Sequence, residues 1–136
     1  MALDEYGAGY RKHPKDQALL AEYAKSVEEM KSTADKAYEK EEYSPAGRTY
    51  DLLLKRYDQF KDFSRMLTFD RTYLRQKLVH CKKGLSVRGF QEYRKGNLSE
   101  AIVLWQGLLA LDPNNKDIKK AVATATEQQK NLQTKR

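Results

Sequence analysis

The sequence is poor in the residues that interrupt helices and in those that build chemical sites. Its 136 residues include 3 Pro, 7 Gly, 2 His and 1 Cys. A single cysteine excludes an internal disulfide and a thiolate-based zinc cluster. The sequence also contains no Gly-rich phosphate loop, no HExxH and no GxSxG motif. It therefore predicts a protein that is not an enzyme and that holds no cofactor and no metal.

Long apolar runs are missing too. No segment approaches the roughly 20 apolar residues that a transmembrane helix requires. The first residues also lack the basic stretch and the apolar stretch of a signal peptide. As written, this start predicts a cytoplasmic location. A chain from which a signal peptide had been removed would instead be periplasmic or associated with the cell envelope.

The residues that are present favour a single helical domain. Hydrophobic residues make up 40% of the chain, which is too many for a disordered protein even with 33% charged residues. Ala, Leu, Lys and Glu are abundant and favour helix over strand. We expect a flexible start over residues 1–13, one domain over residues 14–132 and a short tail over residues 133–136.

Apolar residues at steps of three and four, together with capping residues, predict five α-helices. Ser44 and Pro45 are typical of a helix start, with Ser44 as the cap and Pro45 as the first helical residue. The polar end of the last helix, after Glu127, is expected to fray. The helices are expected, in chain order, from Pro14 to Glu42, from Ser44 to Phe60, from Asp70 to Lys95, around Ala101 to Asp112, and from Asn115 onward.

The sequence repeats itself with an offset of 55 residues. In each copy two small residues lie twelve positions apart on successive helices, and a large aromatic residue follows the second small one by four. Small residues on facing helices allow the backbones to approach, and the aromatic ring fills the space beside them. The matched pairs are Ala34 with Gly89, Tyr38 with Tyr93, Ala46 with Ala101, Tyr50 with Trp105, Leu53 with Leu108 and Leu54 with Leu109.

The second copy resembles a tetratricopeptide repeat, a helix-turn-helix unit of 34 residues with small and aromatic residues at set places and a closing proline. The stretch from Gly89 to Asn97 carries the resemblance, together with Ala101, Trp105 and Pro113. Counted through the residues that follow the proline, this unit covers residues 82–115.

The first copy, over residues 27–60, is a degenerate form of the same unit because no proline closes it. Residues 61–81 join the two copies as a linker and an extension of the third helix. The resemblance, which is to bacterial-type repeat proteins, implies an all-α, right-handed stack of antiparallel helical hairpins. Residues 116–132 would then form the capping helix that covers the last apolar face of the stack.

In this family the first helix of each repeat lines a concave groove that contacts segments of other proteins. The resemblance therefore implies a protein–protein interaction scaffold whose partner is another protein or a peptide segment. Phe90 lies off the predicted buried stripe, so we expect it to be exposed, whereas core packing competes as a role for Tyr38 and Tyr93. The groove residues carried over from matching positions are Lys31, Asp35, Tyr38, Glu39, Lys83, Ser86, Phe90, Tyr93 and Arg94.

A basic surface is the alternative binding site. Ten Lys or Arg against three Asp or Glu fall between residues 61 and 95, in a chain of net charge +7. Most such charges belong to an ordinary solvated helix surface, but they can also bind an anionic polymer, such as nucleic acid or an envelope polymer, in a salt-sensitive way. Self-association through the end of the stack is compatible with either site. The predicted basic surface consists of Arg71, Arg75, Lys77, Lys82 and Arg88.

His80 and Cys81 are the one pair of neighbours that could suggest nucleophilic chemistry. Adjacent residues on an α-helix point about 100° apart, which places them poorly as base and nucleophile. Cys81 lies between Leu78 and Leu85 on the inner stripe of the third helix. We therefore expect a small core residue rather than a reactive thiol.

Overall fold

The structure is a computed structural model that describes residues 16–134. These residues form five α-helices and one 3₁₀ segment, and they contain no strand, which confirms the predicted all-α class. Residues 1–15 lie outside the described residues. The first helix begins at Gln17, with Asp16 as its cap, and ends at Glu39, so the predicted bounds of Pro14 and Glu42 are wrong. The elements are α1 (Gln17–Glu39), α2 (Tyr43–Lys55), the 3₁₀ segment (Tyr57–Met66), α3 (Arg71–Arg94), α4 (Leu98–Leu111) and α5 (Lys116–Thr134).

Consecutive helices pack as antiparallel hairpins. In the first hairpin the ring of Tyr43, at the start of α2, contacts the ring of Tyr38, near the end of α1. Two helical turns further into α2, Tyr50 reaches back to Asp35 of α1. Three-residue connections of this kind bring successive helices side by side in opposite directions. The predicted arrangement of helical hairpins is therefore present.

Alternate helices run parallel and form two rows. Along the first row, Glu28 of α1 binds Thr68 just before α3, and Tyr38 binds His80 further along both helices. The helix α5 continues this row, because it faces the other side of α3 across a shallow hollow. The second row consists of α2 and α4, where Gly47 lies against Leu111. The fold is thus a row of α1, α3 and α5 backed by a row of α2 and α4.

The core lies between the two rows and consists of aliphatic and aromatic residues with one cysteine. No polar or charged residue is buried among the described residues. Trp105 and Tyr50 are the large side chains at its centre, and Cys81 is fully buried, as predicted. Both members of each predicted repeat pair have the same burial: four pairs are buried and two are half-buried. Residues at matching positions of the two sequence copies are therefore buried to the same degree in the structure.

Three predicted helix boundaries are confirmed, two by side-chain hydrogen bonds and one by a backbone angle. The Asp70 carboxylate accepts from the backbone N–H of Tyr73 at 2.9 Å and caps α3. Asn115 accepts from the N–H of Ile118 at 3.1 Å and caps α5. Gly96 ends the α3 region with a φ of 85°, in the left-handed region that favours glycine. These three residues fix where the later helices begin and end.

Other predicted boundaries are wrong. The helix α2 begins at Tyr43, so Pro45 is its third residue and Ser44 is not its cap. It ends at Lys55, and Phe60, although buried, belongs to the 3₁₀ segment. The last helix was expected to fray after Glu127 but is helical through Thr134. For α2, the apolar spacing continues past Lys55 into the 3₁₀ segment, so the predicted helix was too long. For α5, the apolar spacing ends before the helix does, so the polar last turns were not predicted as helix.

None of the helices in the described part of the chain is both long enough and apolar enough to span a bilayer.

Candidate functional site

One face of α3 is exposed along most of the helix. Seven exposed residues lie on this face, each of them three or four positions from another. A helix rises about 1.5 Å per residue, so this face is about 27 Å long. We call it the α3 stripe: Gln76, Val79, His80, Lys83, Val87, Phe90 and Arg94.

The α3 stripe is unusually apolar for a helix surface. Val79 is 62% exposed, Val87 is 42% exposed and Phe90 is 40% exposed. The opposite face of α3 already carries the buried stripe that includes Leu74 and Leu85. A helix at the surface of a globular protein needs one apolar face, and α3 has two. The second face is free to bury apolar area against a partner.

Three shallow hollows follow one another along the α3 stripe, and each is lined by one of the exposed apolar residues. The first, of about 590 Å³, is lined by Val79 and His80 together with Tyr38 of α1. The second, of about 440 Å³, is lined by His80, Lys83 and Val87. The third, of about 280 Å³, is lined by Phe90. The first two hollows share His80, whereas the third shares no lining residue with them and lies between α3 and α5. We call the three hollows together the groove.

The third hollow has an aromatic floor. The Phe90 ring meets the buried Trp105 ring edge-on at a centroid distance of 4.9 Å, and Tyr93 packs against the same indole at 5.8 Å. Four residues of α5 form the far wall: Asp117, Lys120, Ala121 and Thr124. Phe90 is therefore held in place by Trp105 while its outer edge stays in solvent. The predicted exposure of Phe90 is confirmed, and Tyr93 is half-buried beside it.

Tyrosines and cations line the first hollow. The hydroxyl of Tyr38 lies 2.5 Å from Nδ1 of His80, and the two rings stack at a centroid distance of 6.0 Å. The ammonium group of Lys77 lies 3.9 Å from the centre of the Tyr38 ring and 5.5 Å from that of Tyr73. A cation over an aromatic face is attracted by the ring quadrupole. Lys77 is thus engaged within the protein and fixes the wall of this hollow.

Beneath the first hollow, the Asp35 carboxylate connects α1, α2 and α3. It accepts hydrogen bonds from Tyr50 at 2.5 Å and from Tyr73 at 2.7 Å, and it pairs with Lys31 at 3.0 Å. Burial alone would raise the pKa of Asp35, but these hydrogen bonds and the Lys31 charge outweigh it and lower the pKa. Burial and the same carboxylate raise the pKa of Tyr50 and of Tyr73. Both hydroxyls therefore stay protonated as donors to Asp35.

The predicted groove residues fall into two groups. Lys31, Asp35 and Tyr38 of α1 bind one another or α3 and support the wall of the groove. Lys83, Phe90 and Arg94 belong to the α3 stripe, and the half-buried Tyr93 lies beside Phe90. The remaining two are Glu39, exposed at the end of α1, and Ser86, half-buried on α3.

The predicted basic surface is not a continuous patch of free charges. Arg71 forms an ion pair with Asp58 and lies over the Tyr57 ring. Arg88 donates to the backbone oxygen of Glu41 at 2.7 Å. Lys77 is held over the tyrosines, as described above. Within the described part of the chain, Arg75 and Lys82 form no ion pair. Two of the five predicted residues therefore carry charge that no neighbour engages.

Sequence reasoning missed Val79, His80 and Val87 as members of the groove. The signal was present, because they are spaced by three and four residues from the predicted Lys83 and Phe90. The buried residues of α3 already show the helical spacing, so the same spacing in the exposed valines did not stand out as a second apolar face. Two apolar faces on one helix cannot be separated by periodicity alone.

Cys81 and His80 do not form a reactive pair. Burial raises the pKa of the Cys81 thiol to about 11, and its side chain is fully buried. A thiol with a raised pKa is a weak nucleophile at neutral pH. His80 faces Tyr38 on the outer side of α3. Across residues 16–134, no three His, Cys, Asp or Glu side chains come together in a way that could hold a metal ion.

Comparison with known proteins gives no match: no family model, no curated protein and no solved structure matches the chain.

Proposed function

We propose that this chain is a non-enzymatic binding protein that holds a segment of another protein along the α3 stripe. The observation that carries the proposal is the position of Val79, Val87 and Phe90. Each is exposed, each lines a hollow, and all three lie on one face of one helix. Burial of apolar area contributes about 25 cal/mol per Å², so a partner that covers this face gains free energy at three successive points.

The surroundings of the stripe support binding rather than chemistry. The hollows are open grooves, and their floors are aromatic rings held by fixed neighbours such as Trp105 and Tyr38. A binding surface that is already ordered loses little conformational entropy when a partner arrives. Aromatic residues and arginine, which most often dominate interfaces, are both present, as Phe90 and Arg94.

The tetratricopeptide resemblance is a further part of the proposal. The parallel row of α1, α3 and α5 is the arrangement that such repeats would give, with the first helix of each unit on the binding face. We take the chain to be a small scaffold of that type with two repeats, one of them degenerate. The predicted groove and the α3 stripe then describe the same surface.

A peptide-display experiment tests the function directly. The immobilised protein should enrich peptides from a random library, and enrichment should be lost in the triple variant Val79→Ser, Val87→Ser and Phe90→Ser. The matched control is Val103→Ser, because Val103 is 67% exposed but lies on α4, away from the stripe. The control should keep the wild-type peptides. If wild type and triple variant enrich the same sequences, the stripe is not the binding surface.

Binding of an anionic polymer is the second candidate function, and one observation favours it. Helix α3 carries seven Lys or Arg against one Glu. Retention of a nucleic acid would then fall steeply with salt and would depend on Arg75 and Lys82. We rank this candidate lower because Arg71, Lys77 and Arg88 are engaged within the protein. The exposed valines also carry neither a charge nor a hydrogen-bond donor that could contact a phosphate group.

A further inference from the structure

We infer that the partner segment is an amphipathic α-helix whose flanks are acidic. This inference rests on the proposed function and adds to it the chemistry of the partner. Two properties of the α3 stripe carry it: the sign of its charges and the spacing of its apolar residues.

The charges along the stripe are of one sign. Lys83 lies between Val79 and Val87, and Arg94 follows Phe90 by one helical turn. The stripe contains no Asp or Glu. Neither Lys83 nor Arg94 forms an ion pair within residues 16–134. Uncompensated charges around an apolar face favour a partner of opposite sign and disfavour one of like sign.

The flanks of the stripe extend this charge. Arg75 lines the first hollow, and Lys120 of α5 lines the third. In the described part of the chain neither pairs with a carboxylate. Asp117 of α5 and Glu41 after α1 are the acidic residues at the hollows, and five basic residues line the same hollows: Arg75, Lys77, Lys83, Arg88 and Lys120. Basic side chains therefore accompany the apolar residues over the full length of the stripe.

The spacing of the apolar residues matches a helix. At about 1.5 Å per residue, Val79 and Val87 lie about 12 Å apart along the axis and Phe90 lies about 4.5 Å beyond. A partner helix along α3 meets them with apolar residues at i, i+7 or i+8, and i+11, which share one face. Few side-chain amides line the groove, notably Gln76 and Gln91. An extended chain would have to pair its backbone N–H and C=O groups with side chains of the groove, whereas a helix satisfies its own backbone groups.

A second copy of this chain fits the stripe poorly. The charged residues of the stripe, Lys83 and Arg94, are both basic, so in a pair of stripes neither copy offers the other a carboxylate, and like charges repel. The remaining exposed large apolar residues among residues 16–134 are Met66, Val103 and Leu132, which lie on three different elements. None of these faces offers three apolar residues in a row. The occupant is therefore a different protein.

The test uses peptides displayed on a library of about 18 randomised residues, selected against three proteins. These are the wild type, the charge-reversed variant Lys83→Glu with Arg94→Glu, and the anchor variant Val87→Ser with Phe90→Ser. Wild type should enrich acidic sequences with apolar residues at helical spacing. Synthetic versions of these peptides should bind the charge-reversed protein roughly tenfold more weakly, and that protein should enrich basic sequences of the same period.

Two matched peptides separate shape from charge. Scrambling an enriched sequence keeps its charge but removes the apolar face, and it should abolish binding. Replacing its Glu residues by Gln keeps the face and should weaken binding, more at low salt than at high salt. Melting temperatures, followed by circular dichroism, should stay close to wild type in the charge-reversed variant, because Lys83 and Arg94 are exposed. The anchor variant also loses the contact between Phe90 and Trp105, so its melting temperature should fall, and its binding is compared at a temperature at which circular dichroism shows it to be folded.

The outcomes distinguish this inference from the proposed function. Enriched peptides that are neutral, or that lack helical spacing, but still need Val87 and Phe90 would overturn the inference and leave the function standing. A scrambled peptide that binds as well as its parent would overturn the inference, because charge alone would then suffice. If no peptide is enriched on wild type, or if enriched peptides ignore the anchor variant, both are wrong.

Discussion

Gly89 of α3 lies directly against the indole of Trp105 on α4. A Cβ placed on Gly89 would overlap Nε1 and Cδ1 of that ring. The indole N–H is buried here without a hydrogen-bond partner, so the ring is held by packing. The absence of a side chain at Gly89 lets the two helices approach, and the indole in turn supports Phe90 on the other side. One glycine thus connects the core to the proposed binding surface.

Replacing Gly89 by alanine should destabilise the protein. Alanine favours a helix by about 1 kcal/mol over glycine, but forcing a methyl group into a packed site costs about 1–3 kcal/mol. The Trp105 ring is rigid and packed between two helices, so it cannot move away from the added methyl group. The packing cost should therefore exceed the gain in helix propensity, and we expect a net loss of about 1–2 kcal/mol in the free energy of unfolding. Urea denaturation followed by circular dichroism measures it.

Gly107→Ala is the matched control for this experiment. Gly107 is also a helical glycine, but its nearest neighbour is the small Ser44 side chain, with Oγ 2.9 Å from an added Cβ. The Ser44 hydroxyl can rotate away, so the variant should stay within about 1 kcal/mol of wild type. Equal losses in the two variants would show that the contact between Gly89 and Trp105 is not specific.

The carboxylate of Asp35 should make stability depend on acid. Its pKa in the folded protein lies below the ordinary value of 3.8, so the folded state favours the ionised form. The stabilisation is present above about pH 4 and is lost as the pH falls through the folded pKa. Asp35→Asn should cost about 1–3 kcal/mol at neutral pH, because Tyr50 and Tyr73 lose a charged acceptor. Denaturation midpoints measured from about pH 7 down to pH 2 should fall less steeply in this variant.

Asp51→Asn is the control for Asp35. Asp51 also pairs with a lysine four residues away, at 2.9 Å, but the Lys55 side chain is 73% exposed. Surface pairs of this kind contribute about 0–1 kcal/mol. The control should follow the wild-type curve at acid pH. A curve for Asp35→Asn that is parallel to wild type would show that the tyrosine hydrogen bonds do not favour the ionised carboxylate.

Cys81 should be protected in the folded protein. Its thiol is fully buried and burial raises its pKa to about 11, so both access and ionisation oppose reaction. Labelling with a thiol reagent at neutral pH should be slow in the native state and fast in denaturant. Labelling of the native protein at the unfolded rate would contradict both the burial and the core position of Cys81.

The core could be predicted from the sequence because two signals reinforced each other there. The spacing of apolar residues predicted that Cys81 and Trp105 are buried. The offset of 55 residues showed that Trp105 occupies the same position in the second copy as Tyr50 does in the first. Both residues of that pair are fully buried. Caps such as Asp70 were predictable because a short side chain accepts a hydrogen bond from a neighbouring N–H, which is a local interaction.

The parts that were mispredicted depend on contacts distant in sequence. Tyr43 was not expected in α2, and it is held there by Tyr38 of α1 and by the side of α3 at Gly84. Lys77 was expected to be free and instead lies over Tyr38, which is 39 positions away in the sequence. The exposure of Val79 and Val87 could be predicted only by knowing which of the two apolar faces of α3 packs against the core. These outcomes follow from tertiary packing, which composition and period do not encode.

The last prediction separates a protein partner from a polymer partner, with an enriched peptide and a nucleic-acid oligonucleotide as the two probes. Phe90→Ala removes the ring that lies on Trp105 in the third hollow and should weaken peptide binding by about 1–3 kcal/mol at both low and high salt. Its effect on oligonucleotide retention should be small.

Arg75→Ala with Lys82→Ala is the complementary variant, because these residues form no ion pair in the described part of the chain and lie outside the apolar anchors. It should weaken peptide binding only modestly, and only at low salt, since exposed charges are screened within about 10 Å at 0.1 M salt. A polymer partner would reverse both results: retention would ignore Phe90→Ala, collapse in the double variant and fall steeply with salt for wild type. Fluorescence anisotropy over a salt series measures all four combinations. If the oligonucleotide binds more tightly than every enriched peptide and needs only Arg75 and Lys82, the α3 stripe is not the functional surface.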